Sequence, residues 1–295
     1  MAATEPNSTP AAAFDHREKV EHRLSARVCS TNREAPTINS MSAEPQRAPV
    51  LPRLEVLEVP PPSPSPAPRI SFIVPVFNEA RTVGEVLERV EALGIDAQVI
   101  AVDDGSWDGT SELLDRWVAA GVGRHVVHQP NRGKGAAIRA AVPLIDGEIV
   151  VVQDADMEYD PADVPTLVEP IVRGVADVVY GSRLSGGRPQ RAYLFWHLVG
   201  NRVLSLLTNV LFNTTLSDME TGYKAFRADV LRSLTLTQND FAIEPEITAK
   251  VCAQKLRIYE VPIAYYGRTY SEGKKITWTD GLKAIKVLVA VRLRG

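Results

Sequence analysis

The 295-residue chain is 45% apolar and carries a net charge of -3. That content suffices for one sizeable core. The charge balance offers no basic field for nucleic acid, so an anionic partner must be met by local clusters. The two cysteines, Cys29 and Cys252, lie far apart without CxxC or Cys/His spacing, which excludes a zinc motif and fits a reducing cytoplasm.

Residues 1 to 68 are rich in Pro, Ala, Ser, Thr and Glu and end in a proline run from Pro60 to Pro68. This composition buries too little apolar area to offset chain entropy, so a disordered tail with an extended spacer is expected. It reads as a dispensable tail or as a docking arm, and Met41 is a second candidate start. The first thirty residues lack the apolar region of a signal peptide. No run of eighteen uncharged apolar residues occurs. Tyr193 to Phe212 comes nearest, interrupted by His197, Asn201, Arg202 and Asn209. A soluble or peripheral protein is expected.

From Arg69 onward, apolar runs alternate with helical spacing. Ile70 to Pro75 reads as a buried strand. Glu79 to Leu93 reads as a helix through Val83, Val86, Leu87 and Val90, stopped by Gly94. Ala97 to Val102 is a second strand. Asp108 or Thr110 caps the next helix, which Gly121 ends. Arg124 to His128 is a third strand and Gly135 to Ile145 a helix. Glu148 to Val152 is a fourth strand. Asp160-Pro161 opens a helix that stops near Gly174, and Asp177 to Tyr180 is a fifth strand. This alternation predicts an α/β fold with a parallel sheet covered on both faces.

In such sheets ligands bind beyond the carboxyl ends of the strands. Five polar segments fall there: Asn78-Glu79, Asp103 to Ser106, Asn131 to Gly135, Asp154 to Glu158, and Gly181 to Arg183. Asp154 and Asp156, two residues apart past a strand, can both face one cation. Glu158 follows at the same spacing, and hard oxygens suit Mg²⁺ or Mn²⁺. An isolated DxD reads as a solvated turn; its place among four other polar loops favours the metal reading. Asn131 to Gly135 joins two glycines and Lys134 to a helix start, a setting for anions, but with neither P-loop nor GxGxxG spacing. Arg183 opens a basic stretch with Arg188 and Arg191, which reads as a solvated face or a phosphate clamp.

Taken together, Val74 to Glu79, Val102 to Ser106, Asn131 to Gly135, Asp154 to Asp156 and Gly181 to Arg183 resemble the family 2 glycosyltransferases of GT-A fold. Ser217 to Arg227 and Glu260 to Ile263 extend the likeness to the branch of dolichol-phosphate mannose synthases and polyprenyl-phosphate glucosyltransferases. It covers residues 69 to 276 and implies a Rossmann-like, mostly parallel sheet flanked by helices. Residues 277 to 295 would then form a C-terminal amphipathic helix.

The resemblance implies roles for matching residues. Asp104 would contact the nucleoside, with Pro75, Phe77 and Glu79 lining its pocket and Lys134 at the donor. Asp154, Asp156 and Glu158 would hold the metal, although the mannose synthases usually carry Gln at the third position. Arg183 would face the acceptor phosphate. Arg268, with Lys274 and Lys275, would close over the diphosphate, and Glu244 and Glu246 would reach sugar hydroxyls or form a polar helix face. The implied reaction inverts the anomeric carbon of a hexose taken from UDP-glucose or GDP-mannose. A polyprenyl-phosphate acceptor is already ionised near neutral pH and needs no strong base. A hydroxyl acceptor would need one, with Asp218 or Glu220 as the candidates. A non-catalytic nucleotide-binding scaffold is the reading from another class, which the intact DxD opposes.

Leu194 to Phe212 and Thr277 to Leu293 carry apolar stripes, the second opposite Lys283, Lys286, Arg292 and Arg294. Such helices suit the inner membrane face, packing on the core, or a homo-oligomer contact.

Overall fold

The computed structural model describes residues 67–191, 194–268 and 278–294. Of the tail expected for residues 1 to 68, all but the last two residues lie outside the described residues, as does Cys29. Seven strands form one sheet: β1 (Ile70–Val76), β2 (Ala97–Asp103), β3 (Arg124–His128), β4 (Ile149–Val152), β5 (Val178–Ser182), β6 (Lys224–Arg227) and β7 (Ile258–Pro262). Their order is β3-β2-β1-β4-β6-β5-β7, with β6 antiparallel to both neighbours and the other pairs parallel. The helices are α1 (Val83–Glu91), α2 (Thr110–Ala119), α3 (Lys134–Ala141), α4 (Val164–Val172), α5 (Phe195–Phe212), α6 (Ala228–Ser233), α7 (Ile243–Ala253) and α8 (Trp278–Arg294).

Alternation along the strands divides the core between two faces. Phe72, Val74 and Val76 of β1 pack with Val83, Leu87 and Val90 of α1, Leu114 of α2 and Leu167 of α4. Ile73 points the other way, to Ala137 and Ile138 of α3, Leu231 of α6 and Ile247 of α7. Central strands buried on both faces are correspondingly apolar: β4 is wholly so, and β1 carries one buried polar side chain, Ser71, whose hydroxyl donates to Gln98. A third cluster joins Leu204 of α5, Ala249 of α7, and Ala284 and Leu288 of α8 with Met219.

The structure adjusts several expectations. The chain from Glu79 begins as a turn, and the helix starts only at Val83. Asn78 sits at φ 54°, and the Glu79 amide donates to Thr110 Oγ1 at 3.1 Å, which fixes Glu79 ahead of the helix. The α2 helix starts at Thr110, whose amide and hydroxyl both donate to Asp108 Oδ1. Pro143 ends α3 early, in a short 3-10 turn at Val142–Leu144. β6 is the largest departure. It is four residues long and begins with a lysine, so it shows no strand signal, yet it separates β4 from β5.

Pro75 opens the crevice that matters. β1 pairs with β4 only from Ile70 to Ile73, with Ile73 accepting from the Gln153 amide. Two residues on, the missing N–H of Pro75 faces the same side, where no ladder bond continues. The chains after β1 and β4 diverge there, at the point where strand order reverses, the expected ligand position in an open α/β sheet.

Candidate active site

A cavity of about 560 Å³ lies at the carboxyl ends of the strands. It is lined by Pro75, Phe77 and Glu79 after β1, Asp104 after β2, Lys134 at the start of α3, Asp154, Asp156 and Glu158 after β4, and Arg183 after β5. Glu220, Glu244 and Arg268 complete the charged lining. Twelve of the site candidates read from the sequence therefore meet in one space. Asp218 is fully buried behind Arg183 and is absent from the lining. Lys274 and Lys275 lie outside the described residues.

The β2 end is built on carboxylate bonds to backbone. Asp104 Oδ1 accepts from the Arg132 amide at 2.8 Å and from Gln129 Nε2 at 2.7 Å, while Oδ2 accepts from the Gly133 amide at 2.7 Å. Asp104 thus holds the 131–133 loop against the cavity. Gly133 is at φ 96°, and a Cβ there would lie 2.5 Å from the Asn239 carbonyl, so the loop needs glycine at this position.

Behind the loop runs a buried chain of alternating charge. Lys134 Nζ lies 2.7 Å from Asp154 Oδ1 and 3.2 Å from Glu244 Oε1. On its other side Glu244 pairs with Lys224 Nζ, which also donates to the Met219 and Thr221 carbonyls and lies 4.8 Å from the Tyr180 ring centre. Burial opposes the charges of Lys134 and Glu244, but their opposite-charged neighbours outweigh it: Lys134 is raised and Glu244 lowered from their ordinary values. The lysine of β6 was not among the sequence candidates. Its signal is a charged residue inside the apolar stretch Tyr223 to Phe226.

The acidic loop after β4 is crowded. Asp156 Oδ1 accepts from the Glu158 amide at 3.1 Å, and Oδ2 from Arg268 Nη2 at 2.8 Å. Glu158 accepts from the Tyr265 hydroxyl at 2.9 Å and the Arg268 amide at 2.7 Å. Arg268 also reaches both oxygens of Glu79, at 3.1 and 3.2 Å. Burial, then the neighbouring Asp154 and Glu158 charges, push the Asp156 carboxyl up to about 7, against the pull of Arg268. Among the described residues no three acidic or imidazole side chains converge on one point, because Lys134 and Arg268 stand between them. The donor set is nevertheless hard oxygen on one loop, with more carboxylates than cations, which is chemistry that fits a divalent ion.

The far wall differs. Asp218 grips Arg183: Nε and the backbone amide donate to Oδ2 at 2.7 and 3.0 Å, and Nη2 donates to Oδ1 at 2.8 Å. Burial would raise the Asp218 carboxyl, but Arg183 holds it below its ordinary value. Asp218 is therefore the partner that orients Arg183, whose guanidinium also lies 5.1 Å from the Tyr265 ring centre. Glu220 contrasts with it. Burial first, with Glu244 and Asp218 adding, pushes its carboxyl up to about 7 against Lys224 and Arg183, and its buried Oε1 has no hydrogen-bond partner among the described residues. Glu246 faces away, accepting from the Thr237 and Gln238 amides and pairing with Lys250. Arg188 is likewise off the cavity, 3.2 Å from Asp163.

Sequence reasoning missed the remaining wall. Leu184, Leu194 and Leu198 line it with His197 and Asn201, both on α5 and one turn apart. The helix continues outward with Trp196 78%, Leu206 63% and Val210 73% exposed. α8 divides its residues: Ala284 and Leu288 are buried, whereas Leu282, Ile285, Val289 and Leu293 are exposed. Among the described residues no helix is long and apolar enough to cross a membrane.

Comparison with known proteins identifies relatives. A family model described as Glycosyl transferase family 2 matches residues 71–235. Glycosyltransferase AglJ of Haloferax volcanii is 33% identical over 200 residues, which are 68% of this chain and 63% of that protein. The chain thus spans under two thirds of that relative's length. Undecaprenyl-phosphate mannosyltransferase of Micrococcus luteus is 31% identical over 219 residues, 70% of this chain and 87% of that protein. Glucosyl-3-phosphoglycerate synthase of Mycobacterium tuberculosis, crystallised with Mn²⁺, UDP and phosphoglyceric acid, superposes with a TM-score of 0.58 at 22% identity, over 76% of this chain and 78% of that one. At that identity the likeness is one of fold.

Proposed function

The chain belongs to glycosyl transferase family 2, and we propose that it transfers a hexose, with inversion, from UDP-glucose or GDP-mannose to a polyprenyl phosphate at a membrane surface. The observation that carries this reading is that a single cavity joins an acidic loop to a fixed arginine and an apolar wall. The donor's diphosphate belongs at the first, and a lipid phosphate at the second and third. The Micrococcus relative is named for undecaprenyl phosphate, which supports the same acceptor class.

In this reading Pro75, Phe77 and Asp104 take the nucleoside, and Asp154, Asp156 and Glu158 would hold Mg²⁺ or Mn²⁺. A bound divalent cation neutralises charge on the departing diphosphate. The chain's own residues do the rest. Lys134 sets a fixed positive charge beside Asp154 at the cavity floor. Glu244, held between two lysines, is in place to accept from sugar hydroxyls. Arg183, its fork fixed by Asp218, receives the acceptor phosphate and orients an oxygen that is already ionised near neutral pH. Positioning and electrostatics then supply the rate. The exposed apolar faces of α5 and α8, with Lys286, Arg292 and Arg294 nearby, fit the chain against a lipid surface.

Transfer of labelled sugar to undecaprenyl phosphate in Mn²⁺ or Mg²⁺ is the direct test. Product is expected in the lipid fraction and should vanish for Asp156→Ala; undiminished transfer by that variant removes the metal assignment. A second reading, a soluble hydroxyl acceptor, is favoured by Glu220 alone, whose elevated carboxyl suits a general base near neutral pH. Turnover without any lipid phosphate would select it.

A further inference from the structure

We propose that Arg268 is an internal counter-cation of the acidic loop, and that a divalent metal binds well only when a nucleotide diphosphate draws Arg268 off those carboxylates. This rests on the metal-dependent donor reading above. The geometry makes the two cations rivals. Arg268 Nη2 occupies Asp156 Oδ2 at 2.8 Å, and its own amide occupies Glu158 Oε1 at 2.7 Å. The remaining oxygens of those two carboxylates accept from the Glu158 amide and the Tyr265 hydroxyl. Every oxygen that a metal would need from this pair therefore already accepts a hydrogen bond. A guanidinium and a divalent ion on the same carboxylate oxygen would also repel each other.

Two features show that the arginine arrangement is a compromise. The guanidinium is spread over Glu79, Asp156 and Glu158, with Nε 3.8 Å from Glu158. That Nε is buried and has no hydrogen-bond partner among the described residues. A diphosphate would offer several anionic oxygens on one ligand to a fork that is now divided between Glu79 and Asp156. Lys134 behaves differently. It is bracketed by Asp154 and Glu244 and is more deeply buried, with 13% of its side chain exposed against 20% for Arg268. Arg268 is thus the exchangeable cation and Lys134 the permanent one. Metal and nucleotide then bind cooperatively, each strengthening the other by the same factor.

Mn²⁺ titration followed by electron paramagnetic resonance, on the full chain with and without UDP or GDP, tests this. Wild type should bind Mn²⁺ weakly alone and about tenfold or more tightly with the matching nucleotide. Arg268→Gln should bind Mn²⁺ alone about tenfold more tightly than wild type and lose most of the nucleotide effect. Arg268→Lys, which keeps the charge, should restore weak binding, and matching thermal melts establish that the variants are folded. If Arg268→Gln binds free Mn²⁺ no more tightly than wild type while nucleotide still promotes binding to both, the exchange is wrong and the metal reading stands. If neither protein binds Mn²⁺ under any condition, the metal reading falls and this inference falls with it.

Discussion

The two halves of the cavity solve the same problem, holding charge away from water, in opposite ways. On the acidic side, the carboxylates of Glu79, Asp156 and Glu158 share one arginine, and like charges crowd each other. On the far side, Asp218 is matched to Arg183 alone through three donors and is held below its ordinary value. A shared, frustrated arrangement is suited to exchange of partners. A one-to-one pair is suited to a fixed geometry. The contrast teaches that clustered charge is not one kind of feature: whether a cation serves several carboxylates or one separates a ligand site from a brace.

That distinction can be broken most directly at Asp156. Asp156→Asn should lower transfer about 10³-fold, about 4 kcal/mol of transition-state stabilisation. Its melting temperature should not fall, because the substitution relieves crowding. Steady-state rates and calorimetry on the same preparation check both. Asp218→Asn should show the reverse weighting. Removing one partner of a buried pair costs about 3 kcal/mol, so a melting shift of about 6–12 °C is expected, with nucleotide binding retained in the protein that remains folded. A variant as stable as wild type would mean that Asp218 is no brace.

A smaller effect sharpens the comparison from the acceptor side. Arg183→Lys keeps the charge but loses the fork, and should raise KM for the lipid phosphate about tenfold with donor KM unchanged. An equal rise in both would place Arg183 with the donor. The smallest effect concerns Glu220. Its folded carboxyl titrates near 7 against an ordinary 4.5, so the fold binds that proton more tightly than the unfolded chain. Stability from this group is full below 4.5 and declines as pH rises toward 7. Glu220→Gln cannot ionise and should abolish that decline. Its melting curve should coincide with wild type near pH 4.5 and lie a few degrees above it at pH 8; parallel curves across that range would count against the assignment.

Much of this was legible in the residue order. The first five strands lie within two residues of the expected ends, because parallel strands covered on both faces need mostly apolar runs and the turns between them need Gly, Pro or Asp. The polar loops likewise fall on one edge because strand direction is fixed by the crossover helices. β6 was not legible, since Lys224 at its head looks like a surface residue until Glu244, twenty positions on, is brought against it. Glu246, two residues from Glu244, shared the same sequence reading and points elsewhere, a separation set by helix phase within α7.

By itself, then, the sequence determined the α/β architecture, the edge on which the site lies and the residue types that line it, because these follow from periodicity and turn chemistry over short spans. Tertiary structure alone decided which carboxylates are braced and which are shared. It set Asp218 on Arg183, Arg268 across Glu79, Asp156 and Glu158, and Leu184, Leu194 and Leu198 along the same cavity. Those outcomes depend on distances between groups up to 189 positions apart. Coulomb and hydrogen-bond energies vary over ångströms, so only the closed fold can fix them.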